Sequence, residues 1–165
     1  NKINITLILA SLKNFDQALI NCLKKNLKNF DNNYSFYLKD QLSSDAVLKI
    51  EETKMFKKVH GNLREIYKNS DLVIISNPSS AVLDAMFTGT PFFVYDGGNF
   101  INFSPMYSVI KDKYFIRDYE FVSKIKTFKN KSLNTWKFDK KKILETNDNI
   151  YKWQKIINLN RLKNF

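Results

Sequence analysis

Short continuous apolar runs alternate along this chain with longer stretches whose apolar residues recur every three or four positions, and the two periods predict strands and helices in turn. Ile3 to Ala10 reads as a first strand, mostly apolar and β-branched, with Asn14 and Asp16 as cap residues for the helix that follows. That helix runs to about Phe30, with Leu19, Leu23, Leu27 and Phe30 on its dry face and Lys24, Lys25 and Lys28 on its wet one. A turn at Asp31-Asn32-Asn33 leads to a second strand, Tyr34 to Leu38, closed by Lys39-Asp40. Ser43 to Glu52 suits a short helix and Lys54 to Val59 a third strand. After His60-Gly61, the sequence Asn62-Leu63-Arg64-Glu65 is a capping-box pattern for a helix ending near Asn69.

The chain is organised around the next stretch, Ser70 to Asn99. Leu72 to Ile75 is a strand covered on both faces, and Phe92 to Tyr95 is a second one. Between them Asn77, Ser79 and Ser80 are cap types, Ala81 to Phe87 is an apolar helix expected to be buried almost all round, and Gly89-Thr90-Pro91 stops it. A helix start behind a buried strand presents free N–H groups and partial positive charge, and small hydroxyl residues leave room for an anion. Ser79, Ser80 and Ala81 therefore form a candidate phosphate site; the same two serines also suit plain helix capping. Farther on, Tyr114 to Arg117 is a last strand. Asp118 is the cap of a helix with Phe121, Ile125 and Phe128 inward, and residues 129–138 read as a loop. Asp139 to Phe165 is a terminal helix or helix pair, with Leu144, Ile150, Trp153, Ile157 and Leu162 as docking residues.

The segment Asp84-Ala85-Met86-Phe87-Thr88-Gly89-Thr90-Pro91 resembles the E-A-x-x-x-G-x-P segment in the donor domain of GT-B glycosyltransferases, with Asp84 where Glu is more usual. The wider match, from Ser79 through Asn102-Phe103-Ser104-Pro105, is similar to GT-B transferases of the surface carbohydrate biosynthesis family. The resemblance implies a nucleotide-sugar donor, with its diphosphate held at Asn77, Ser79, Ser80 and Ala81 and its ribose on Asp84. It further implies close backbone approach at Gly61 and at Gly97-Gly98, with Asp96, Asn99, Asn102 and Lys39 as sugar or base contacts. It covers only the donor half of such an enzyme, so an N-terminal acceptor domain is expected outside this chain, which begins at Asn1. His60, the only histidine, is a candidate for proton transfer, and at a strand end it equally suits a structural residue or a substrate contact.

Composition narrows the alternatives. At 165 residues, 44% hydrophobic, the chain has one domain's worth of core. Its net charge of +11 is uneven: residues 111–165 hold 15 basic and 6 acidic groups, against 12 and 10 before them. Such a tail suits peripheral contact with an anionic membrane or lipid-linked glycan, or follows from the Lys-, Asn-, Ile- and Phe-rich bias of an AT-rich genome; Lys with little Arg is a poor nucleic-acid signature. No apolar run is long enough to cross a bilayer, and the lone Cys22 on a helix face reads as a buried thiol compatible with the cytoplasm. Zinc-ligand spacings, a Walker A sequence, G-x-G-x-x-G, Asp-x-Asp and a nucleophile elbow are all missing.

The expectation is an α/β, Rossmann-like three-layer domain with a mainly parallel sheet over residues 1–138, extended by helices over 139–165. Its function is donor binding in glycosyl transfer from a nucleotide sugar to a glycan or lipid-linked acceptor, in the cytoplasm or at the inner membrane face, without a metal or cofactor. The alternatives are a non-hydrolysing nucleotide-sugar epimerase and a non-catalytic basic module for anionic membranes or glycans.

Overall fold

The computed structural model describes residues 2–39, 53–77, 79–97, 110 and 112–128. Six strands form one sheet: β1 (Ile3–Ile8), β2 (Tyr34–Lys39), β3 (Phe56–Val59), β4 (Leu72–Ser76), β5 (Phe92–Tyr95) and β6 (Phe115–Ile116). Their order is β3-β2-β1-β4-β5-β6, and every neighbouring pair is parallel. Parallel strands need crossovers, and right-handed crossovers leaving β1 in one direction and returning to β4 in the other place helices on opposite faces. Helix α1 (Lys13–Asn26) with α4 (Phe121–Phe128) covers one face, and α2 (Leu63–Lys68) with α3 (Ala81–Thr88) the other.

This is the Rossmann-like, three-layer α/β fold the sequence predicts, with a sheet that is wholly parallel among the described residues. Its centre is dry on both sides: Ile5, Leu7, Ile8, Leu72 to Ile75, Phe92 and Val94 are all essentially inaccessible. Beneath α1, Phe30 meets Phe36 edge-on at 5.0 Å between ring centres. On the same face Tyr95 stands edge-on to Phe121 at 6.4 Å, and its hydroxyl donates to the Asp118 carboxylate. Cys22 is buried there as expected, and burial first, with the Asp118 charge second, pushes its thiol up to about 12.

Several local expectations change. Helix α3 is not buried all round: Asp84, Phe87 and Thr88 are exposed, because α2 covers only part of its outer side. Gly89 ends it in the left-handed conformation, φ 73°, as a C′ glycine should. Neither Asn14 nor Asp16 is the N-cap of α1; the helix starts at Lys13, and Leu12 precedes it without a side-chain cap. Asn62 does cap α2, but its Oδ1 accepts from Arg64 N–H and not from Glu65. Asp118 does not cap the helix before α4 either: Glu120 bonds back to Arg117 N–H, and Asp118 is turned to Tyr95. The expected helix over 43–52, the loop over 129–138 and the terminal helices over 139–165 lie outside the described residues.

Candidate functional site

In an open parallel sheet the ligand crevice lies at the carboxyl ends of the strands where the chain direction from strand to strand reverses, here between β1 and β4. Two helices begin at that crevice, α1 after β1 and α3 after β4.

At the start of α3, Ser79 is buried and its Oγ accepts the Ala81 N–H at 3.2 Å. Ser80 occupies the N-cap position with its side chain exposed and making no capping bond, while its carbonyl accepts the Leu83 N–H at 2.9 Å. Ser79 thus caps the helix, whereas the Ser80 side chain is exposed. Ala81 is fixed from below by Tyr67, whose fully buried hydroxyl donates to the Ala81 carbonyl at 2.9 Å. Burial, and secondarily the Asp84 charge, raises the Tyr67 phenol above its ordinary range, so it stays a donor. Asn77 and Ser76 are buried at the strand end, and Ser76 Oγ has no hydrogen-bond partner among the described residues.

Asp84 lies one turn into α3, exposed, in a groove of about 690 Å³ between α2 and α3 that Asn62, Arg64, Lys68 and Phe87 also line. The groove joins Asp84 to the residue after Gly61. Gly61 itself lies two residues beyond β3, at φ 121°, a conformation that favours glycine. His60 beside it is exposed and opens onto a different hollow. Three strand spacings separate β3 from β4, about 14 Å at the usual interval, so the structure does not bring His60 to Ser79 and Ser80. Lys39 closes β2, two strands from β4, level with Ile8 and Val59.

After β5, Asp96 is engaged by Arg117 at 3.5 Å, and Arg117 also holds Asp112 at 2.9 Å. Gly97 has a structural reason to be glycine, since a Cβ there would lie 3.0 Å from the Tyr95 ring. Gly98, Asn99 and Asn102 lie outside the described residues, as does Pro78.

Sequence reasoning missed the other side of the crevice. Ser11, at φ 64°, turns the chain out of β1, and Leu12 is exposed at the mouth. Asp16, 2% exposed, sends its carboxylate back to accept the Ala10 N–H at 2.8 Å. The signal available was an acidic residue in the first turn of an otherwise apolar helix face. Among the described residues no group of three or more His, Cys, Asp or Glu could hold a metal ion, and no helix is long and apolar enough to cross a membrane.

No family model and no curated sequence matches the chain. Among solved structures it is similar to the glycosyltransferase SnogD from Streptomyces nogalater, with a TM-score of 0.56 and 17% identity. The fold is glycosyltransferase-like. The similarity covers 78% of this chain and 35% of that one, so the chain spans about a third of the length of the structure it matches.

Proposed function

We propose that this chain is the nucleotide-sugar donor-binding half of a GT-B-type glycosyltransferase of bacterial surface polysaccharide synthesis. The observation that carries the reading is the start of α3: a helix end at the crevice whose side-chain cap among the described residues is the neutral Ser79, with Ser80 exposed beside it. The donor diphosphate would lie there, where first-turn N–H groups and the helix dipole stabilise negative charge growing on the leaving phosphate. Asp84 would accept ribose hydroxyls, and the α2–α3 groove would take the nucleoside. In this reading N–H groups and the dipole meet the diphosphate charge, so no metal is called for. The acceptor and the base that activates it would come from a second domain, and this chain alone would bind without turnover.

An amide NMR titration with UDP, CDP, GDP, CMP and their sugar conjugates tests the reading. Saturable shifts at Ser79, Ser80, Ala81 and Gly97 are expected for one base class. Silence from every nucleotide with the protein folded overturns it.

A second reading has its own observation. The exposed side of α1 and of the turn that follows it carries Lys13, Lys24, Lys25 and Lys28, and Lys126 of α4 lies 6.0 Å over the Phe30 ring on the same face. Such a face suits an anionic lipid surface, each lysine contributing about 1 kcal/mol. Salt-sensitive sedimentation with phosphatidylserine vesicles, lost in Lys24→Gln/Lys25→Gln/Lys28→Gln, is its test.

A further inference from the structure

Beyond the crevice, the described residues leave part of the sheet face that carries α2 and α3 open. The crossover from β1 to β2 passes through α1 on the opposite side, and α2 borders the part left open. A hollow of about 330 Å³ results, within the range of small-molecule sites. Its floor is Thr6 and Tyr37, paired side by side in the sheet, with Val59 beyond them. Its wall is Asn62, Glu65, Ile66 and Asn69, a spacing of three, four and seven residues that puts all four on one side of α2 and its ends.

The chemistry of this lining is selective. It contains neither Lys nor Arg, and its one basic side chain is the His60 imidazole, so no permanent cation there neutralises a phosphate or carboxylate. It contains three amide side chains, counting Asn4, and one carboxylate, Glu65, which forms no ion pair among the described residues. The deepest hydroxyls are already satisfied among themselves: Thr6 Oγ1 and Ser70 Oγ are 2.6 Å apart, and Ser70 donates to the Ile66 carbonyl at 2.7 Å. The remaining capacity belongs to amides, a carboxylate and the His60 imidazole around one aromatic ring. Paired donors and acceptors beside a ring face match a ligand with several adjacent hydroxyls and an apolar C–H face.

We infer that the hollow between α2 and the β1–β3 half of the sheet is a second binding site, for a neutral saccharide unit. It is separate from the donor crevice, since α2 stands between them and Asn62 alone borders both the hollow and the α2–α3 groove. The saccharide is either a free sugar or the end of a longer glycan.

The test is an amide NMR titration of the whole chain with methyl glycosides of glucose, galactose and N-acetylglucosamine, and with a neutral oligosaccharide of each. Saturable shifts at Thr6, Tyr37 and Asn69 are expected. Asn69→Ala and Glu65→Ala should weaken them about fivefold or more each, with unchanged unfolding midpoints because both side chains are exposed. Tighter binding of the oligosaccharide identifies a glycan end, and equal binding a free sugar; both uphold the site. Absence of saturable shifts with every saccharide overturns it, as do shifts centred on Ser79 and Ser80 or unchanged affinity in both variants. Nucleotide titration reads the donor crevice separately, so loss of one site leaves the other measurable.

Discussion

Two strand-to-helix turns face each other across the crevice, and they treat the same electrostatic problem differently. Each helix has an aspartate as its fourth residue, Asp16 in α1 and Asp84 in α3. Asp16 is buried and folds back onto Ala10 N–H, made possible by the left-handed turn at Ser11; α1 therefore meets its own N-terminal field with an internal carboxylate. Asp84 is exposed and faces the groove toward α2, while the α3 start is left with a neutral hydroxyl cap. A helix N-terminus attracts anions over about one turn. The position of one carboxylate thus separates two topologically similar turns: one answers its helix start with a buried aspartate, the other with a neutral hydroxyl.

The largest effect should come from removing the internal carboxylate. Asp16→Ala leaves a partly buried N–H without its acceptor and should cost about 2 kcal/mol, read from the urea midpoint, with Asp16→Asn costing about half of that. A loss within about 0.5 kcal/mol for the alanine variant would break the contrast. The converse substitution gives α3 what α1 has. Ser80→Asp should leave stability unchanged or raise it by up to about 1 kcal/mol. Nucleoside diphosphate affinity should fall about tenfold, near 1.4 kcal/mol. Stability and binding moving in opposite directions is the outcome a merely structural cap does not produce.

The fold was legible because burial on both faces writes strands as unbroken apolar runs. Leu72 to Ile75 and Phe92 to Tyr95 needed no periodicity to find, and Gly89 marked the helix end between them. The Ser79-Ser80 pair was legible as a helix start for the same local reason. What stayed hidden was which polar group answers which. Asp16 has a cap-like position in sequence, but its partner is six residues back across a positive-φ turn. Asp118 likewise reads as a cap, yet it accepts from Tyr95, 23 residues earlier, because β5 and β6 are neighbours in the sheet. The exposure of Phe87 depends on how far α2 reaches over α3, a packing fact absent from the helix's own apolar pattern.

The α1–α4 side should reveal its packing through pH. Cys22 has a native pKa of about 12 against an ordinary 9.0, and burial, then its bond to Asp118, raises Tyr95 as well. Above pH 9.0 the unfolded chain releases the thiol proton while the native state keeps it, so the unfolded state binds fewer protons and stability falls as pH rises. The slope should approach about 1.4 kcal/mol per pH unit for the thiol and disappear near its native pKa. Urea midpoints between neutral and alkaline pH should therefore drop more steeply in wild type than in Cys22→Ala; parallel curves would mean that the thiol is not held in the dry layer.

The smallest effect is the most discriminating for the site. Asp84 is exposed, so Asp84→Asn should change stability by no more than about 0.5 kcal/mol. If the carboxylate accepts ribose hydroxyls, the variant should lose about fivefold in affinity for a nucleoside diphosphate, roughly 1 kcal/mol. Inorganic pyrophosphate, which has no ribose, should bind the variant as well as wild type or better, because a repelling charge is gone. A 2′-deoxynucleoside diphosphate completes the cycle: it should lose affinity for wild type but little more for Asp84→Asn, the non-additivity expected when two changes remove one contact. Additive losses would place Asp84 away from the ribose and leave the α3 start as a phosphate site alone.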